Sequence, residues 1–322
     1  ASAIVKGDSR SLSIAAASIG QVHRAVTLDG RELAIKIQYP GVRGSIDADV
    51  DNVATLLRVS GLLPTGLDIG PLLKEAKAQL HEETDYRREG AEMEAYRQRL
   101  AGDDAFVVPT LAEDFTTDDL LAMSFVEGMP IEEMAGAPQE ERDRIAGLLV
   151  DLVLAELFRF GTMQTDPNFS NFRYQPGSGR IVLLDFGATR PVTERTAQAY
   201  RRLLTAGLAG DRAAVRIAAV EAGFVGEAAV RRHGELIDRM IDLIVTETSR
   251  EGPFDFSDRR FLQIVREQAA SVAADREAWH IPPTDTLFVQ RKISGIALLA
   301  ARLGARVDVR AKVAAHLGGG GI

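Results

Sequence analysis

The 322-residue sequence predicts an α+β chain in two parts: residues 1–126, a small part with an antiparallel sheet and helices, and residues 127–322, larger and mainly helical. Three observations carry this expectation. The β-rich runs 13–17, 22–28 and 32–38 open the chain, and Asp29-Gly30 between the last two favours a tight hairpin. Helical stretches follow at 45–63, closed by Pro64 and Gly66, and at 71–100, opened by Pro71, before two more strand-like runs at 106–111 and 120–125. Beyond Glu127-Gly128, apolar residues recur at three- and four-residue spacings through 192–208, 211–222, 227–249, 258–275 and 284–303. One strand pair, 171–174 with 180–184 across Gln175-Pro176-Gly177, interrupts that helical part.

Composition narrows the function classes. Hydrophobic residues make up 46% of the chain, enough for sizeable cores. With 46 acidic against 38 basic residues, the net charge of -8 argues against a general nucleic-acid binder. The absence of cysteine excludes disulfides, thiolate metal sites and cysteine nucleophiles. The five histidines have no metal-ligand spacing. No apolar run approaches the roughly 20 residues needed to span a bilayer. Ile145 to Phe160 is broken by Asp151, Glu156 and Arg159 and reads as a buried amphipathic helix, and the apolar face of Thr286 to Leu303 fits core packing better than a membrane surface. Residues 1–10 lack the apolar core of a secretory signal.

The chemistry lies in three separated motifs. Phosphoryl transfer needs a cation on the nucleotide phosphates, oxygen ligands for Mg²⁺ and a carboxylate near the acceptor. Protein kinases supply these as a strand lysine, an Asp followed five residues later by Asn, and an Asp-Phe-Gly. All three occur here in that order: Lys36 within Leu33-Ala34-Ile35-Lys36-Ile37, Asp166 with Asn171, and Asp185-Phe186-Gly187. A lone strand lysine is usually a surface charge and a lone Asp-Phe-Gly usually a turn, but their joint order and spacing point to an Mg-nucleotide site. A helix carboxylate must pair with Lys36, and Glu83 in Glu82-Glu83-Thr84-Asp85-Tyr86 is the expected partner. Two features depart from ordinary protein kinases. Alanines stand where a Gly-rich phosphate loop would lie, at Ala15-Ala16-Ala17-Ser18-Ile19-Gly20-Gln21, and Ala188-Thr189-Arg190-Pro191 leads almost directly into a helix, leaving little room for a peptide-presenting segment.

These residues resemble the UbiB (aarF-domain) family of atypical kinases, in particular its coenzyme Q branch. The resemblance is carried by Ala15 to His23, Lys36-Ile37-Gln38-Tyr39-Pro40-Gly41-Val42, Glu83-Thr84-Asp85-Tyr86 with Arg88-Glu89, Met163 to Phe172, and Leu184 to Arg190, and weakly by Pro253 to Phe256 and Arg291-Lys292. Gln164-Thr165 before Asp166, where His-Ala is common elsewhere in the family, points to the coenzyme Q branch.

The resemblance implies an atypical protein-kinase-like two-lobed fold that binds ATP or ADP with Mg²⁺ and acts as an ATPase or phosphotransferase in ubiquinone biosynthesis. It implies that Lys36 holds the α/β-phosphates, Asn171 and Asp185 hold Mg²⁺, and Asp166 orients or deprotonates the acceptor. The backbone of Ala15, Ala16, Ala17, Ser18 and Gly20 would cap the phosphates, and Met123, Phe125 and Val126 would form the hinge that reads adenine. Implied partners are membrane lipid, phenolic quinone precursors and coenzyme Q biosynthetic proteins. The implied location is the cytoplasm, peripheral on a bacterial inner membrane, or the matrix face of a mitochondrial one. The family's Lys-x-Gly-Gln motif is not matched by Lys6-Gly7-Asp8-Ser9, so either the chain is a fragment or it lacks that cover. A non-catalytic scaffold and a conventional protein kinase are the competing readings.

Overall fold

The computed structural model describes residues 13–17, 19–60, 69–248, 252–258 and 282–318, with 263, 264, 267, 274, 275 and 280. The chain divides into two compact units, residues 1–129 with 170–189, and residues 130–169 with 190–322.

In the first unit, strands β1 (Ser13–Ala17), β2 (Gly20–Val26), β3 (Glu32–Gln38) and β5 (Leu120–Ser124) form one sheet in the order β1-β2-β3-β5. The β2–β3 hairpin turns at Asp29-Gly30 as its sequence demands, with Gly30 at φ 88° and its N–H donated to the Thr27 carbonyl at 3.0 Å. Leu33 and Ile35 of β3 pack with Ala112 and Ala122 on one face. Lys36 alternates to the other face, toward the helices. Helix α1 (Val42–Val59) precedes α2 (Gly70–Glu83) and α3 (Tyr86–Arg99). A second sheet joins β4 (Phe106–Val107) in parallel to β7 (Arg180–Leu183), which pairs antiparallel with β6 (Phe172–Gln175).

Several sequence expectations change here. The single helix over 71–100 is two helices, because Asp85 leaves the helical region and its side chain accepts the Arg88 N–H at 3.0 Å, capping a new helix start. The strand over 106–111 stops at Val107, ahead of Pro109, which has no N–H to offer a ladder. The boundary after residue 126 does not hold for residues 170–189. Their strand pair is tied to β4 through Phe106↔Ile181 and Val107↔Val182, so Asn171 and Asp185 belong to the first unit.

The second unit is helical. Helix α4 (Gln139–Ala155) runs on into a π-helical turn, Glu156–Phe160, which Gly161 ends at φ 64°. Helices α5 (Glu194–Ala209), α6 (Arg212–Glu221) and α7 (Glu227–Thr248) follow, with Val215, Ala229, Ile237, Ile241 and Val245 among their shared core. The expected helix over 258–275 lies largely outside the described residues. Helix α8 (Thr284–Leu303) buries Val289, Ile296, Leu299 and Leu303 and packs on α4, as a core helix should. The short pair β8 (Phe254–Asp255) and β9 (Arg306–Val307) and helix α9 (Val309–Gly318) complete the unit. Among the described residues no helix is long and apolar enough to cross a membrane.

Gly20 has a packing reason to be glycine, since a Cβ there would lie 2.1 Å from the Ile37 carbonyl oxygen across the β2–β3 pair. Gly20→Ala is expected to cost about 1–3 kcal/mol in urea denaturation followed by circular dichroism. Gly177→Ala, with open space at the same point, should stay within about 0.5 kcal/mol.

Candidate functional site

The first unit buries a charged cluster. Lys36 on β3 is 6% exposed and Glu89 on α3 is 1% exposed. The Lys36 ammonium donates to both Glu89 carboxylate oxygens at 3.0 Å and to Asp185 Oδ2 at 3.2 Å. It also lies 5.2 Å from the centre of the buried Tyr86 ring. Burial alone would lower the Lys36 pKa, but the Glu89 and Asp185 carboxylates outweigh it and hold the ammonium above the ordinary lysine value. Burial likewise pushes the Glu89 carboxyl up, with Lys36 beside it pulling back.

The segment after β7 is held from two sides. Asp185 Oδ1 accepts the Gly187 N–H at 3.0 Å, and the Phe186 ring is buried 5.0 Å from that of Tyr96 on α3. Arg88 on the same helix donates to the carbonyls of Gly187 at 3.0 Å and Thr189 at 2.5 Å. A Cβ at Gly187 would approach Glu89 Oε2 to 3.3 Å, so the small residue lets the segment close over the ion pair. The Leu184 N–H donates to the Asn171 carbonyl at 3.0 Å, which sets the backbone just before Asp185 directly beside buried Asn171. A carboxylate and an amide are oxygen donors of the kind Mg²⁺ takes, and a lysine is a cation of the kind phosphate takes.

The structure therefore brings Lys36 and Asp185 together, with Asn171 on the neighbouring segment. It does not join Lys36 to Glu83. Glu83 ends α2, before the break at Thr84-Asp85, whereas Glu89 sits in the first turn of α3. The signal for Glu89 was available in Asp85, a good N-cap four residues ahead of it. Ala15, Ala16 and Ala17 pair with Val22, Gln21 and Gly20, while Ser18 lies outside the described residues. Met123 is buried opposite Ala34, and the Phe125 N–H is donated to the Glu32 carbonyl at 2.9 Å, so this part of the hinge backbone already serves the sheet.

Asp166 belongs to the second unit, where Arg291 on α8 approaches its Oδ1 at 3.4 Å. Close by in sequence, Gln164 is buried with Glu156 and Lys292. Burial lowers the Lys292 pKa, and Glu156 and Asp166 partly restore it. Sequence reasoning assigned no role to Glu156 or Lys292, whose pairing is long-range and leaves no local pattern.

Comparisons with known proteins show the family. Residues 10–219 match the model of the ABC1 atypical kinase-like domain. The chain is 37% identical over 301 residues to the atypical kinase COQ8, mitochondrial, of Saccharomyces cerevisiae, covering 92% of this chain and 59% of that protein. It is 36% identical over 296 residues to the atypical kinase COQ8B, mitochondrial, of Rattus norvegicus, covering 92% and 56%. The chain thus spans rather more than half the length of these two relatives. Among solved structures it is similar to Rv3197 of Mycobacterium tuberculosis in complex with erythromycin, with a TM-score of 0.74 and 27% identity over 97% of this chain and 77% of that one.

Removing one partner of a buried ion pair strands the other, at a typical cost of about 3–5 kcal/mol. Glu89→Ala should lower the unfolding free energy by about that amount, and half-buried Glu83→Ala by less than about 1 kcal/mol, in parallel urea titrations.

Proposed function

The chain belongs to the ABC1 atypical kinase-like family, and we propose that it is an Mg-ATP-dependent ATPase or phosphotransferase supporting ubiquinone (coenzyme Q) biosynthesis. The observation that carries the reading is the buried Lys36, held at once by Glu89 and Asp185. A lysine so placed is costly to maintain as packing alone, but it is the group that phosphoryl transfer requires on the α/β-phosphates.

Lys36 binds the nucleotide phosphates and Glu89 fixes the direction of its ammonium. Asn171 and Asp185 hold Mg²⁺, which when bound neutralises charge on the phosphates. Asp166, five residues ahead of Asn171, orients or deprotonates the acceptor. The backbone around Ala15, Ala16, Ala17, Ser18 and Gly20 caps the phosphates, and the stretch from Met123 to Val126 lies along the adenine. The acceptor is water or a small-molecule hydroxyl. In support of that choice, only six residues, 188–193, separate Gly187 from α5, too few for a segment that presents a peptide. The reading includes action at the surface of a quinone-bearing membrane, a bacterial inner membrane or the matrix face of a mitochondrial one, with lipid, phenolic precursors and other biosynthetic proteins as partners.

Purified protein should hydrolyse ATP only with Mg²⁺, tested with and without cardiolipin vesicles and a simple phenol, and Asp185→Asn should lower turnover by about 100-fold or more. Nucleotide binding with no turnover under any of these conditions would sink the proposal. Ala17→Gly should shift the ratio of ADP to ATP affinity by relieving the loop, and unchanged affinities would count against its placement on the phosphates.

A further inference from the structure

The second unit buries another lysine that this chemistry does not use directly. Lys292 on α8 is 1% exposed, and Glu156, the first residue of the π turn, is fully buried. The Lys292 Nζ lies 3.6 Å from Glu156 Oε2 and donates to Gln164 Oε1 at 3.1 Å. The other Glu156 oxygen, Oε1, accepts the backbone N–H of Gln164 at 3.2 Å. Side chain and main chain of Gln164 are thus gripped together, two residues ahead of Asp166. Glutamine suits the position because its amide oxygen accepts from an ammonium without adding charge.

The same helix presses on the loop just beyond Asp166. A Cβ at Gly295 would fall 2.1 Å from the Pro167 Cβ, so α8 meets the loop with bare backbone. Arg291, next to Lys292, approaches Asp166 itself at 3.4 Å. A buried pair of opposite charges is often no more stabilising than hydrocarbons of similar volume, so stability alone is a weak reason for Lys292 and Glu156. Their polar atoms converge on Gln164, the last residue of the short strand Thr162–Gln164 from which the Asp166 loop leaves, and π turns such as the one at Glu156 gather at functional sites.

We infer that Lys292 is a positioning residue: with Glu156 it fixes Gln164, and through it the backbone that aims Asp166 at the acceptor. The catalytic part of this inference rests on the ATPase or phosphotransferase reading, whereas the grip on the loop does not. Lys292→Met alone strands Glu156 and should lower thermal stability. The double variant Glu156→Leu/Lys292→Met removes both charges and should regain most of it.

The test compares that double variant with the wild-type chain by melting temperature, Mg-ATP affinity, steady-state turnover and backbone amide hydrogen exchange over residues 165–169. The double variant should bind nucleotide within about twofold of wild type, because the phosphate-holding groups lie elsewhere in the sequence, yet turn over about 10- to 100-fold more slowly. The amides of Thr165, Asp166, Asn168 and Phe169 should exchange faster. A purely structural pair predicts the opposite, with turnover returning alongside stability. Wild-type turnover or unchanged exchange over 165–169 in the double variant would overturn the inference. If the wild-type chain shows no turnover, the functional reading fails and the exchange measurement alone decides whether Lys292 holds the loop.

Discussion

The first unit is organised around one electrostatic constraint, the burial of the Lys36 ammonium. An unpaired charge in a protein interior is heavily penalised, so this lysine can stay inside only while Glu89 and Asp185 reach it. Those three residues come from β3, from α3 and from the segment after β7. Sheet, helix and loop are therefore bound into one arrangement by a single charge. Other features of the unit serve it. Asp85 starts α3 at the point that puts Glu89 in its first turn, Arg88 pins the carbonyls of Gly187 and Thr189, and Gly187 keeps its own side clear of Glu89. The same charge, beside Asp185, is what the proposed nucleotide-phosphate site rests on.

The second unit repeats the device at another position. Lys292 and Glu156 are buried as deeply as Lys36 and Glu89, and they converge on Gln164, the last residue of the short strand Thr162–Gln164. In both units a paired interior charge stands near the end of a strand, where the backbone leaves regular structure and its course must be fixed. Charge-assisted hydrogen bonds are well suited to that task because they are directional and stronger than neutral ones.

Much of this was legible in the sequence where local rules apply. The hairpin at Asp29-Gly30, the strand with Lys36 and helix α8 over 284–303 followed from turn chemistry and apolar periodicity. The order of Lys36, Asp166, Asn171 and Asp185 suggested a phosphotransfer site because those residue types are ligands and charges with known jobs. What escaped was set by packing between distant segments. Glu83 and Glu89 are both acidic residues in one charged stretch, and only the break at Thr84-Asp85 decides which faces Lys36. The strand pair within residues 170–189 is legible in the sequence, but its place in the first unit is not, because that is set by pairing with β4, some 75 residues earlier. The Lys292–Glu156 pair spans 136 positions, beyond the reach of any pattern along the chain.

The central claim is that the Lys36, Glu89 and Asp185 cluster is a site for nucleotide phosphate and its metal. Diffraction from crystals grown with a non-hydrolysable ATP analogue and Mn²⁺ in place of Mg²⁺ tests it most directly, because Mn²⁺ gives an anomalous signal that carbon, nitrogen and oxygen do not. The account predicts an anomalous peak coordinated by the side chains of Asp185 and Asn171, with Lys36 Nζ in hydrogen-bond contact with a phosphate oxygen. Nucleotide bound with its phosphates away from Lys36, or Mn²⁺ held by other residues, would contradict it.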